Sequence, residues 1–284
     1  MRPAFLLAMA LSSAAYAVDI QGHRGARGHA PENTLPGFER ALAIGVTTLE
    51  LDVGVTRDGV VVIHHDRGLN PDTTRGPDGK WLAVPGPLIK DLTYDELQRY
   101  DVGRIKPGSE YEKRFPHQKP VDGTRVPRLS DLFEKAGATV RFNIETKVAP
   151  NETLPPEPFA RAVIAEVKKA AMGHRATIQS FDWRVLKVVE REAPEIPTAY
   201  LTERKDSDPQ KVQAARGKTW SPDFRALTAD TMAKARKIGL RVIPWTVNER
   251  ADIARMLELK VDGIISDYPD RVREEMKQRG LPLP

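Results

Sequence analysis

The sequence predicts an α/β fold, a single (β/α)8 TIM barrel with a small insertion after its second strand and hairpin. Three observations carry this. Strand-like and helix-like segments alternate along nearly the whole chain, and counting one hairpin once gives eight strand positions. The 284 residues lie close to the ~250 typical of such a barrel. The signatures of the competing doubly wound sheet are missing: no G-x-G-x-x-G follows a strand, and no G-x-x-x-x-G-K-[ST] occurs.

The elements follow in order. Residues 18–21 read as a short strand entering a glycine-rich turn. Residues 34–44 have helical periodicity, with Leu35, Phe38 and Leu42 on one side. Residues 47–56 and 60–64 are strands, the second an apolar, β-branched run, and Asp58-Gly59 between them is a hairpin signal. From about 67 to 126 Pro, Gly, Asp and Thr are frequent and periodicity is poor, apart from a helical stretch near 94–100; this is the insertion. Then come 139–146 (strand), 158–172 (helix), 176–179 (strand), 183–192 (helix) and 198–201 (strand). A charged stretch at 202–218 mixes helix and loop. A short strand at 219–220 precedes 229–238 (helix), 241–245 (strand), 249–259 (helix), 263–266 (strand) and 271–278 (helix).

Composition removes several classes of function. The chain has no cysteine, so disulfide frameworks, cysteine-ligated metals and thiol catalysis are excluded. Net charge is +5 with the basic residues dispersed, and there is no Lys/Arg run of the kind that forms a nucleic-acid arm. Arg2, the apolar run Ala4 to Leu11 and the Ala15-Tyr16-Ala17 triplet have the order of a secretory signal over residues 1–17, which predicts export, most simply to a bacterial periplasm. That run is short for a bilayer and nothing later approaches ~20 apolar residues, so no stable membrane insertion is expected. Asn151-Glu152-Thr153 would be a glycosylation site in a eukaryotic secretory route.

Catalytic groups in such a barrel come from the C-terminal ends of its strands. There the chain places His23-Arg24-Gly25, Glu50-Leu51-Asp52, His64-His65-Asp66, Asn143-Ile144-Glu145-Thr146-Lys147, Gln179-Ser180 and Trp245. Glu50 and Asp52 are two apart, so they share a strand face, as do Asn143, Glu145 and Lys147 if the strand extends that far. A two-residue turn at Asp58-Gly59 would set Asp52 directly opposite His65 and turn His64 outward. Carboxylates gathered on one inner face repel and are costly to bury unpaired. Either a bound hard cation, Mg2+ or Ca2+, resolves this, or each carboxylate pairs separately with Arg24 or Lys147. His23 and His65, at two strand ends, suit acid/base work. Arg24 suits an anion, or a salt bridge to Glu32 or Glu50. His29, His117 and His174 read as surface residues.

The ordered constellation His23-Arg24-Gly25, Pro31-Glu32-Asn33-Thr34, Phe38, Ala41, Gly45, Glu50-x-Asp52, Asp58-Gly59 and Val62…His65-Asp66 resembles the glycerophosphodiester phosphodiesterase family. Asn143-Ile144-Glu145-x-Lys147, Gln179-Ser180-Phe181, Trp245-Thr246-Val247-Asn248 and the run from Val261 to Pro269 extend the likeness over most of the chain. The resemblance implies a TIM barrel with an insertion after the hairpin and one divalent cation. It implies hydrolysis of small-molecule glycerophosphodiesters to sn-glycerol 3-phosphate and an alcohol. By position, Glu50, Asp52 and Glu145 would hold the metal and His23 and His65 would be the acid/base pair. Arg24 and Lys147 would contact phosphate, and Trp245 would line the glycerol pocket. The chain departs from the family after Asp66, reading Arg67-Gly68-Leu69-Asn70-Pro71-Asp72-Thr73-Thr74-Arg75, which affects substrate contacts from that loop. Two rivals stand beside this reading. A related phospholipase acting on an acylated lipid would want an apolar rim, for which Trp81, Leu82, Val84 and Leu88 are candidates. A phosphodiester-binding protein without catalysis would have no need of the histidine pair.

Overall fold

The computed structural model describes residues 18–83, 86–148 and 155–284. The export-signal reading, the sequon at Asn151 and Val84 of the expected rim lie outside the described residues. Strands β1 (Asp19–Gly22), β2 (Thr48–Val55), β3 (Val61–Ile63), β4 (Arg141–Thr146), β5 (Ala176–Ser180), β6 (Thr198–Thr202), β7 (Thr219–Pro222), β8 (Arg241–Val242) and β9 (Gly263–Ser266) form one sheet. Its order is β8-β7-β6-β5-β4-β2-β1-β9, all parallel, with β3 antiparallel beside β2. Backbone hydrogen bonds from Asp262 N to Val242 O, Val247 N to Ile265 O and Ile265 N to Pro244 O join the last strand to β8 and close the ring. The predicted barrel is the observed one, although β8 is regular for only two residues.

Helices α1 (Leu35–Ile44), α2 (Tyr94–Leu97), α3 (Glu110–Arg114), α4 (Leu129–Lys135), α5 (Glu157–Lys169), α6 (Trp183–Glu192), α7 (Pro209–Ala214), α8 (Ala229–Lys237), α9 (Arg250–Glu258) and α10 (Pro269–Gln278), with short 3-10 turns at Ile89–Asp91, Arg204–Asp206 and Phe224–Ala226, complete the described elements. The reading of the sequence had no counterpart for α3 or α4. In α4, Leu129, Leu132 and Phe133 are buried at helical spacing, but the element is only seven residues and starts two residues after Pro127.

Strand β2 shows how one sequence serves two layers. Leu49, Leu51 and Val53 face the helices and pack with Phe38, Ala41 and Phe142 in the main core. Thr48, Glu50 and Asp52 alternate with them and are equally buried, so their side lines the barrel interior. The insertion has its own small core of Val62, Leu69, Ile89, Leu97, Val102 and Val126. Leu82 packs against this core and Trp81 is half-buried, while the exposed Leu88 borders a separate cavity with Ile89, Val148, Pro158 and Phe159.

The hairpin register differs from expectation. Val53 pairs with Ile63, Gly54 with Val62 and Val55 with Val61. The loop is therefore Arg57-Asp58-Gly59, three residues long, with Gly59 at φ +83. The slip of one residue puts His64 across from Asp52, its amide donating to the Asp52 carbonyl at 2.9 Å. The ladder stops at Ile63, however, and it is His65 that enters the cavity described below. His64 is buried outside it, against the Gly68 carbonyl. A side chain at position 59 would have space but the wrong backbone geometry. Gly59→Ala is therefore expected to lower stability by about 1 kcal/mol in urea denaturation, with activity unchanged.

Candidate active site

The C-terminal ends of the strands open into a cavity of about 460 Å3. It is lined by His23, Arg24, Glu50, His65, Glu145, Lys147 and Trp245, seven of the eight residues singled out from the sequence; the eighth, Asp52, lies buried beside it.

Parallel register builds the acidic part. β2 and β4 align Glu50 with Asn143 and Asp52 with Glu145, so two carboxylates are direct cross-strand neighbours. Glu50, Asp52 and Glu145 each offer an oxygen within 4.8 Å of the others, and all three residues are buried. Burial, then the charges of Asp52 and Glu145, push the Glu50 carboxyl well above its ordinary range. Burial also raises Glu145, with Asp52 adding to the shift against the opposing charge of Lys147. For Asp52 burial pulls the other way and loses: Arg24, His65 and Lys147 hold it well below the usual carboxylate range.

The pairing with Arg24 and Lys147 accounts for part of these charges. Arg24 Nε is 3.1 Å from Asp52 Oδ2 and its Nη1 donates to Glu32 at 3.0 Å. Lys147 Nζ is 2.7 Å from Glu145 Oε1 and 3.5 Å from Asp52 Oδ1. Glu50 has no Arg or Lys ion pair among the described residues; it accepts from the Arg24 amide at 3.0 Å and from Gln179 Nε2 at 2.8 Å. Asp52 Oδ1 is fully buried and accepts no hydrogen bond. An all-oxygen trio with that orphaned oxygen fits a hard divalent cation.

The turn after β1 aims the first histidine. Arg24 and Gly25 adopt left-handed backbone at φ +50 and +87. A Cβ on Gly25 would stand 2.7 Å from the Gly37 backbone, so glycine is required there. His23 Nδ1 is 2.6 Å from Asp267 Oδ1, which leaves Nε2 toward Glu50, 3.9 Å from its Oε2. Burial, helped by the charge of Arg27, lowers the His23 pKa to about 4, so the ring is neutral at pH 7. Neutral His23 thus carries its proton on Nδ1, donates it to Asp267 and keeps a lone pair on Nε2. His65 is held similarly, with Nδ1 2.6 Å from Asp66 Oδ1.

Several supporting residues had no role in the reading of the sequence. Asp267 accepts from Arg27 Nε at 2.8 Å and Nη2 at 3.1 Å, and from Asn248 Nδ2 at 2.7 Å. Burial opposes its ionisation, yet Arg27 and His23 hold its carboxyl far below the ordinary range. The available signal was position, since Asp267 directly follows β9 at the catalytic end of the barrel. A chain of amides supports Glu50 from below. Gln21 Nε2 donates to Asp19 at 2.9 Å, Asn143 Nδ2 donates to both Gln21 and Gln179, and Gln179 donates to Glu50. Trp245 is fixed by Nε1 donating to Ser221 O at 2.9 Å and by an edge contact with Phe181. Of the outlying histidines, His117 and His174 are exposed as expected. His29 is not a free surface residue, because its Nε2 lies 2.7 Å from Asp270 Oδ1.

The family model for glycerophosphoryl diester phosphodiesterases matches residues 23–271, from the first histidine to the start of the last helix. The chain belongs to this family. A Bacillus subtilis glycerophosphodiester phosphodiesterase is 31% identical over 261 residues, covering 87% of this chain and 83% of that one. A crystal structure of a Silicibacter pomeroyi protein, provisionally named as a glycerophosphoryl diester phosphodiesterase, is 38% identical with a TM-score of 0.90, covering 95% and 96% of the two chains. An Oleispira antarctica phosphodiesterase, solved with the product sn-glycerol 3-phosphate, shares the fold at 22% identity and a TM-score of 0.72, covering 90% of this chain and 96% of that one. As an enzyme of the glycerophosphoryl diester phosphodiesterase family, the chain hydrolyses glycerophosphodiesters. No helix among the described residues is long and apolar enough to cross a membrane.

Proposed function

We propose that the chain cleaves glycerophosphodiesters to sn-glycerol 3-phosphate and an alcohol, with His23 and His65 as the acid/base pair and Glu50, Asp52 and Glu145 as ligands of one Ca2+ or Mg2+. The observation that carries this is convergence: both histidines, each with Nδ1 held by a carboxylate, border the same cavity as the acidic trio. When bound, such a cation supplies positive charge beside the phosphate oxygens. Lys147 and Arg24 add cationic charge at the same place and bind the anionic diester. Trp245 and Phe181 give the glycerol carbons an apolar wall. One histidine removes the proton of the glycerol 2-hydroxyl as that oxygen attacks phosphorus. The other protonates the departing alcohol, leaving a cyclic phosphate. Water then opens the ring with the two roles exchanged. Export to the periplasm is the compartment we propose on residues 2–17.

The reading is tested by release of sn-glycerol 3-phosphate from glycerophosphocholine with Ca2+ or Mg2+ present. Folded protein that releases none with either ion would overturn it. A narrower expectation concerns Asp267. Asp267→Asn keeps the shape but removes the charge that orients His23. The expected loss in kcat is about tenfold or more, but smaller than the loss on removing His23 itself. Unchanged kcat would show that Arg27 and Asn248, not His23, are what Asp267 serves.

A further inference from the structure

Part of the insertion is mounted on the loop that carries His23. The Tyr111 hydroxyl accepts from Arg27 Nη1 at 3.2 Å and donates to Glu32. The buried Phe115 ring lies 4.6 Å from the Arg27 guanidinium carbon. Gln118 Nε2 donates to the Arg27 carbonyl at 2.8 Å, and the Lys119 amide donates to the His29 carbonyl at 2.8 Å. These contacts fix α3 at the edge of the cavity, where its last residue, Arg114, forms part of the wall.

The cavity has four cationic side chains, and three have carboxylate partners. Arg24 meets Glu32 and Asp52, Arg27 meets Asp267 and Glu32, and Lys147 meets Glu145 and Asp52. Arg114 meets no carboxylate among the described residues. Its guanidinium carbon lies 5.7 Å and 5.6 Å from the Tyr111 and Phe115 ring centres, which support it without neutralising it. If glycerol lies against Trp245 and Phe181, Tyr111 and Arg114, which line the same cavity, are available to the alcohol half of the diester.

We infer that Arg114 is a specificity-determining residue that favours glycerophosphodiesters whose alcohol carries a further anionic group. This rests on the reaction proposed above. An exposed guanidinium free of an internal partner gives up little to meet an anion. The buried Arg27 beside it would have to abandon Asp267 or Glu32 first. Attraction to an anionic alcohol and repulsion of a cationic one act in the same direction.

The test compares three substrates. Glycerophosphocholine has a cationic alcohol, glycerophosphoglycerol a neutral one, and bis(glycerophospho)glycerol a second phosphodiester. Arg114→Ala is expected to raise KM for the third by about tenfold and leave the neutral substrate within about twofold, with kcat unchanged. Arg114→Glu should raise that KM further and lower KM for glycerophosphocholine, and Arg114→Lys should restore most of the preference. The difference should shrink in about 0.5 M salt. An equal rise for all three substrates would mean that Arg114 acts on the shared phosphodiester, and no change would mean that it contacts none of them. Either overturns the inference. Failure of the wild-type protein to release sn-glycerol 3-phosphate from any of the three would instead overturn the reaction itself.

Discussion

Replacing His23 or His65 by alanine is expected to lower kcat at least about a hundredfold, each with the fold intact, because each proton transfer contributes ~10²–10⁴. The surroundings explain why folding survives. Without His23, Asp267 keeps both hydrogen bonds from Arg27 and the one from Asn248, so no buried charge is stranded. Without His65, the half-exposed Asp66 keeps Asn70 Nδ2 at 2.7 Å. Circular dichroism melts of the two variants should therefore stay near wild type while turnover collapses. The double variant should lose little beyond the worse single one, since the two side chains serve opposite ends of one displacement. Near-wild-type turnover in either single variant would remove that residue from the mechanism. A binding protein without catalysis would show no turnover to lose, and its affinity for the diester would survive both changes.

The parts of this site that were legible in the sequence are those governed by local periodicity. Glu50 and Asp52 two apart on a strand must share a face, and the parallel partner then brings Glu145 beside Asp52. The barrel was legible for the same reason, since alternation along the chain determines it. Partnerships across the ring were not. His23 and Asp267 are 244 residues apart and meet only because β1 and β9 are adjacent in the closed sheet. The position of Asp267 directly after a strand could mark it as a candidate, but nothing nearby in the sequence names its histidine. The hairpin shows a different failure. Asp-Gly fits a two-residue turn and also the end of a three-residue loop, and one residue of difference changes every cross-strand pair. His65 reached the site regardless, because the regular ladder ends before it. The insertion was recognised by its lost periodicity, yet its contribution to the cavity depends on contacts of Tyr111, Phe115 and Gln118 with a distant loop.

Glu145→Gln should separate the cost of the acidic trio from its use. Chelation by EDTA is expected to abolish turnover of the wild-type protein, and added Ca2+ or Mg2+ to restore it. In Glu145→Gln the same addition should restore less than about one hundredth, because losing a metal ligand should cost at least the 10–100-fold typical of losing an outer-shell partner. Stability should move the opposite way. Burial and the neighbouring Asp52 both raise the Glu145 carboxyl, so its charge is held in the fold at a cost that Lys147 only partly offsets. The amide has nearly the same shape, and its oxygen can still accept from Lys147. Metal-free Glu145→Gln should therefore melt no lower than metal-free wild type. Wild type should gain thermal stability on adding metal, as any ligand of the native state requires, and the variant should gain much less. Two results would contradict this. A variant that melts well below wild type without metal would make Glu145 a structural partner of Lys147. Equal stabilisation of both proteins by metal would place the cation away from Glu145.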